Sequence, residues 1–103
     1  MNDLFKRLQT LEDRYEELGE LLSDPETLAD TTQFTRLSKE MADLRETVEK
    51  YRAYKKIVKV IHDDEEMFND KLDDEMAAMV KEELNDSKDQ RDHLDQQINW
   101  LLL

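Results

Sequence analysis

Apolar side chains recur along the first 22 residues at Leu4, Leu8, Leu11, Tyr15, Leu18 and Leu22, a spacing of four, three, four, three and four. That spacing places them on one stripe of a helix, and such a stripe has to be covered by another element. Beyond it, Ser23, Asp24 and Pro25 supply a stop and a restart. Asp24 suits an N-cap, and Pro25 suits the first helical position, where no N–H is needed. Asp30, Thr31 and Thr32 then offer a second cap. The apolar series resumes at Phe34, Leu37, Met41, Leu44, Val48 and Tyr51, and widens through Tyr54, Ile57, Val58, Val60 and Ile61. The helix this predicts, over about 32–62, is roughly 46 Å long at 1.5 Å per residue.

At His62-Asp63-Asp64-Glu65-Glu66 the period breaks, and Asp63 with Glu66 has the form of a new helix start with acids in its first turn. Leu72-Asp73-Asp74-Glu75 has the same character. A short helix over 65–70 and a long one over 74–101 are therefore predicted. The long one carries Met76, Met79, Val80, Leu84, Leu94, Ile98 and Leu101. Ser87 and Arg91 interrupt its seam, which implies a weakly packed middle or a polar contact there. With the first helix over about 2–22, the pattern specifies an all-α fold. It is an antiparallel three-helix bundle of coiled-coil character, with a short extra helix between the two long ones, in a single domain over 1–103.

Composition narrows this further. Charged residues make up 41% of the 103, hydrophobic residues 38%, and there are only three Phe and one Trp, so any core is a narrow seam of Leu, Met, Val and Ile. One Gly and one Pro leave too little punctuation for many short strands. The formal net charge of −12 opposes a nucleic-acid backbone, so direct binding to duplex nucleic acid is not expected. No cysteine is present, which fits a cytosolic location without requiring it. The start of the chain lacks the basic and apolar run of a signal peptide, and no apolar segment approaches the roughly 20 residues that span a bilayer. A soluble, cytoplasmic protein with no membrane contact is expected.

Charge is unevenly distributed. Residues 62–99 carry fourteen acids and four bases, whereas Lys50 to Ile61 carries five bases and no acid. Arg52, Lys55, Lys56 and Lys59 fall at i, i+3, i+4 and i+7, one stripe of the second helix. One reading makes this the solvated face opposite Tyr51, Tyr54, Val58 and Ile61, ion-paired to the acidic third helix. The other makes it a contact for an acidic partner or a stretch of RNA phosphate.

Catalytic chemistry is hard to find. His62 lies at a helix end and His93 in a polar run, and a structural role suits both. No zinc-protease motif, Cys/His ligand set or phosphate-binding loop occurs, and Asp63 to Asp74 lacks the glycine and ligand spacing of a calcium loop. No catalytic, cofactor-binding or metal-binding residue is expected. Trp100-Leu101-Leu102-Leu103 is the oddest local feature: either the last turn closes the bundle, or the chain continues in a parent protein.

EDRYEELGELLSDPE at 12–26, RLSKE at 36–40, VEKYRAYKK at 48–56 and LDDEMAAMVKEEL at 72–84 resemble the N-terminal domain of bacterial peptide chain release factors of the first type, which read UAA and UAG. The resemblance spans nearly the whole chain, and its most specific parts are Tyr15–Glu26 and Tyr51–Lys55. The terminal leucines resemble the family's leucine run into its next domain. The resemblance implies an N-terminal fragment of a larger translation-termination factor. Such factors enter the ribosomal A site, read the stop codon through a Pro-x-Thr motif and promote peptidyl-tRNA hydrolysis through Gly-Gly-Gln. Neither motif occurs here: Gln96-Gln97 has no Gly-Gly before it, and the one proline is Pro25. The implied role is accessory and not enzymatic. Its implied partners are the remaining domains of the factor and the ribosome, at the base of the large-subunit stalk. The alternative class is a self-contained acidic coiled-coil adaptor that dimerises through its leucine seams.

Overall fold

The computed structural model describes residues 2–103 and is helical almost throughout, in the order α1 (Asn2–Leu21), α2 (Pro25–Ala29), α3 (Thr31–Asn69) and α4 (Asp74–Leu101). Among the described residues there is no strand, so the all-α expectation holds. The chain divides into two compact units, Met1–Glu49 and Lys50–Leu103, with α3 running through the boundary.

In the first unit, α1 buries Leu8 and Leu18 and the first stretch of α3 buries Leu37 and Val48, as the apolar spacing requires. The stop after α1 is made by backbone bonds of the tighter 3₁₀ type, from Ser23 N to Glu20 O at 3.1 Å and from Asp24 N to Leu21 O at 3.1 Å. The restart follows the expected chemistry. Asp24 caps α2 by accepting from Glu26 N at 2.9 Å, with Pro25 in the first turn. Asp30 then accepts from Gln33 N at 3.1 Å and opens α3.

In the second unit, the later stretch of α3 buries Tyr51 and Ile61, and α4 buries Val80 and Ile98. Asp64 meets Glu83, and Tyr54 lies near Asp95, Asp92 and Arg91, so residue numbers rise on one helix as they fall on the other. The pair is antiparallel. Ser87 is buried as well, a small side chain at the interruption of the α4 seam. Beside it lies an open depression of about 460 Å³, lined by Val60, Ser87 and Gln90 among others. Asp73 caps α4, accepting from Met76 N at 2.8 Å, and α4 begins and ends where the pattern placed it. Trp100 does not close the core: it is 76% exposed, with Leu101 and Leu102 half-buried.

One expected element is corrected. No separate short helix forms over 65–70, because α3 continues without a break from Thr31 through His62 to Asn69. Two of the acids there are paired within the helix, Lys59 to Asp63 at 3.1 Å and His62 to Glu66 at 3.1 Å. The buried phase also carries on, from Ile61 to Asp64 three residues later. The extra short helix lies earlier, at α2, between α1 and α3.

Gly19 sits inside α1, with no residue of positive φ among those described. A Cβ added there would meet Met41 Cε at 3.6 Å, an ordinary contact. Glycine in a helix interior costs about 0.5–1 kcal/mol relative to alanine. Gly19→Ala should therefore stabilise the chain by about that amount, read as a higher urea midpoint with an unchanged slope; a lower midpoint would show that α1 and α3 approach too closely for a methyl group.

Candidate partner-contact surface

The basic stripe lies on α3 in the second unit, but its four members differ in setting. Lys55, Lys56 and Lys59 are exposed, and Arg52 is half-buried. Lys55 is not opposite Tyr51: it stands one turn on, with its Nζ 4.5 Å from the centroid of the Tyr51 ring, while the tyrosine itself is buried. Lys59 pairs with Asp63 of its own helix, not with α4. Val58, expected on the covered face, is 39% exposed. The helix phase groups the four cations, while the local contacts of Lys55 and Lys59 hold two of them in place. On the packed side of the same stretch, Tyr54 has its hydroxyl pKa raised, first by burial and then by the charge of Asp95.

Two charged arrangements escaped the sequence reading. In the first unit, Arg14 reaches across to Glu40 with two parallel bonds, Nε to Oε2 at 2.6 Å and Nη2 to Oε1 at 2.8 Å, and also contacts Glu17. This fork is the strong form of an ion pair. The hydrogen bond from Arg14 pulls the Glu40 carboxyl below its ordinary value and raises the Arg14 guanidinium above its own. No helical spacing connects residues 26 apart, so only the pairing of α1 with α3 could have indicated it.

In the second unit, Asp64 is 6% exposed and its Oδ2 has no hydrogen-bond partner. It lines a cavity of about 200 Å³ with Met67, Met76, Met79, Val80 and Glu83. Glu83 has its carboxyl pKa raised, chiefly by a hydrogen bond with Asp64 and then by that residue's charge. Such a bond exists only while one of the two carboxyls is protonated. With both ionised, the buried oxygen has no donor. The signal in the sequence was Asp64 falling three residues after Ile61, in phase with the seam.

Among the described residues, no group of three or more His, Cys, Asp or Glu side chains is arranged to hold a metal ion. No helix of the described residues is long and apolar enough to cross a membrane.

Fold and surface together define an acidic, all-α helical module whose ionic features lie along helix faces. The PCRF domain model matches residues 11–103, and the chain belongs to that family. It is 64% identical to peptide chain release factor 1 of Ligilactobacillus salivarius over 103 residues, which is 100% of this chain and 29% of the relative. It is 55% identical to peptide chain release factor 1 of Enterococcus faecalis over 100 residues, 97% of this chain and 28% of that protein. Against peptide chain release factor 1 of Lactiplantibacillus plantarum, identity is 50% over 103 residues, 100% of this chain and 29% of the relative. The chain thus spans less than a third of the length of the curated relatives it matches. No solved structure matches it.

The Arg14–Glu40 fork has a pH signature. Because the folded Glu40 pKa lies below its ordinary value of 4.5, its contribution is fully present above that value and is lost as pH falls through the folded pKa. Glu40→Gln should lower the melting temperature at pH 7, and the gap from the parent should narrow on acidification below the ordinary carboxyl value. A gap independent of pH would assign the loss to packing alone.

Proposed function

We propose that this chain is the N-terminal helical domain of a peptide chain release factor, acting in translation termination in the cytoplasm. The observation that carries this reading is identity along the whole chain, 64% to release factor 1 of Ligilactobacillus salivarius. The domain's part is accessory. It helps position the factor on the ribosome, near the base of the large-subunit stalk, while codon reading and ester hydrolysis belong to other parts of the factor. The absence from this sequence of Gly-Gly-Gln and Pro-x-Thr supports that division of labour. The adaptor reading has less support, because Leu8, Leu18, Leu37 and Val48 are buried within one chain.

A release assay on termination complexes tests the proposal in two arms. The chain alone should release no peptide at UAA or UAG. A chimera in which it replaces the matched segment of the Ligilactobacillus salivarius factor should release peptide at close to that factor's own rate. Stop-codon-dependent hydrolysis by the chain alone, or an inactive but folded chimera, would sink the reading.

Within this proposal, Arg52, Lys55, Lys56 and Lys59 form a local contact for RNA phosphate or an acidic ribosomal surface. Removing a side chain that neutralises one phosphate lowers the slope of log affinity against log salt by about one unit. Reversing Lys55, Lys56 and Lys59 to Glu in the chimera should weaken ribosome binding and flatten its salt dependence. Unchanged binding with an unchanged slope would return the stripe to a solvated face.

A further inference from the structure

The last turns of α3 and the first turns of α4 are held to each other thinly. Val80 is buried there, but Met67, Met76 and Met79, which line the same cavity, are 38%, 41% and 62% exposed. The ion pairs of this stretch, Lys59 with Asp63 and His62 with Glu66, stay within α3. What meets across the two helices is a pair of carboxyls. Asp64 of α3 is 6% exposed, and Glu83 of α4 lines the same cavity. No basic side chain lines that cavity or the open depression next to it, where Glu82 and Asp86 extend the wall from Glu83. On α3 itself, His62, Asp63, Glu65 and Glu66 beside Asp64 are exposed. A buried carboxylate with a second carboxylate opposite and no cation beside it is penalised twice, by lost hydration and by like-charge repulsion. One proton relieves both penalties, because a protonated carboxyl donates to an ionised one in a charge-assisted bond.

We propose that a proton held between Asp64 and Glu83 latches the end of α3 to the start of α4, so that this end of the hairpin is closed in mildly acidic solution and opens more often once both carboxyls ionise. Linkage fixes the direction. Glu83 keeps its proton above the ordinary carboxyl value of 4.5, first through the bond with Asp64 and then through that residue's charge. The contribution of the bond is therefore full below 4.5 and is lost as pH rises through the folded value. The Arg14–Glu40 fork has the opposite sign, since Glu40 loses its contribution on acidification. The two units thus respond to acid in opposite senses. With so little apolar burial at this end of the pair, the bond bears directly on how often residues 64–83 open. The latch belongs to the chain's own hairpin and does not depend on a role in termination.

Native-state hydrogen exchange of the 103-residue chain, with rates corrected for the intrinsic effect of pH, reads that opening. Relative to residues 2–49, protection over 64–83 should fall by roughly fivefold between pH 4.5 and neutral pH, the factor for one hydrogen bond. Glu83 is exposed, so its variants fold. Glu83→Gln places a permanent N–H donor against Asp64; it should raise protection of 64–83 at neutral pH by a similar factor and remove most of its pH dependence. Glu83→Met, of similar length with neither charge nor donor, should fall short of Glu83→Gln. Asp89→Asn, which takes an exposed carboxylate from α4 outside the cavity, should leave the pH response intact. The latch is overturned by a parent with no such fall, by equal protection in the Gln and Met variants, by a pH response that survives Glu83→Gln, or by one that Asp89→Asn abolishes as well.

Discussion

A seam about one side chain wide holds this protein together, and α3 carries much of it. With 41% charged residues there is no material for a thick core. Leu37 and Val48 serve the first unit, Tyr51 and Ile61 the second, and none of the four is more than 5% exposed. In proteins generally, truncating one such buried side chain to alanine costs roughly 2–5 kcal/mol. The whole of a domain's stability is only about 5–15 kcal/mol. The seam exists only while α3 keeps its helical phase. That requirement outweighs the local signals at 62–66, where acids of the kind that start helices are instead carried along inside one.

Polar groups next to so narrow a seam need partners, and the two units treat them differently. The first unit satisfies them: Glu12, 7% exposed, accepts from Gln9 at 3.2 Å, and Arg14 grips Glu40 with a two-bond fork. Such pairs orient the helices they join as well as stabilising them. The second unit is less complete. Ser87 takes a seam position with a side chain too small to fill it, and Asp64 takes the position after Ile61 with an oxygen that nothing in the chain satisfies. Buried polar atoms in folded proteins nearly always have partners, and a proton shared with Glu83 is the one the chain itself offers Asp64.

The parts of the fold that were legible in the sequence are those set by local chemistry. Asp24, Asp30 and Asp73 cap as their side chains dictate, Pro25 sits where its missing N–H does no harm, and α4 follows its apolar period from Asp74 to Leu101. Legibility failed where a residue's partner lies on another helix. Arg14 and Glu40 carry no mutual signal, and Asp64 looks like a capping acid until Ile61 is seen to be buried one turn before it. The basic stripe was found by spacing, but spacing does not say that Lys55 rests on Tyr51 or that Lys59 turns to Asp63. Periodicity ranks faces; it does not assign contacts between them.

Electrostatics reconciles an acidic chain with a proposed place on the ribosome. At physiological ionic strength, exposed charges are screened beyond about 8 Å. A net charge of −12 therefore does not act as one field on a docked surface, and each contact is decided by the charges within that distance. Lys50 to Ile61, with five bases and no acid, is long enough to form such a local contact on its own. The acids beyond it repel a phosphate backbone and so oppose indiscriminate attraction to RNA. The same segregation separates two kinds of surface along the second unit. One is a cationic face on α3, and the other is an acidic, methionine-lined cavity between α3 and α4.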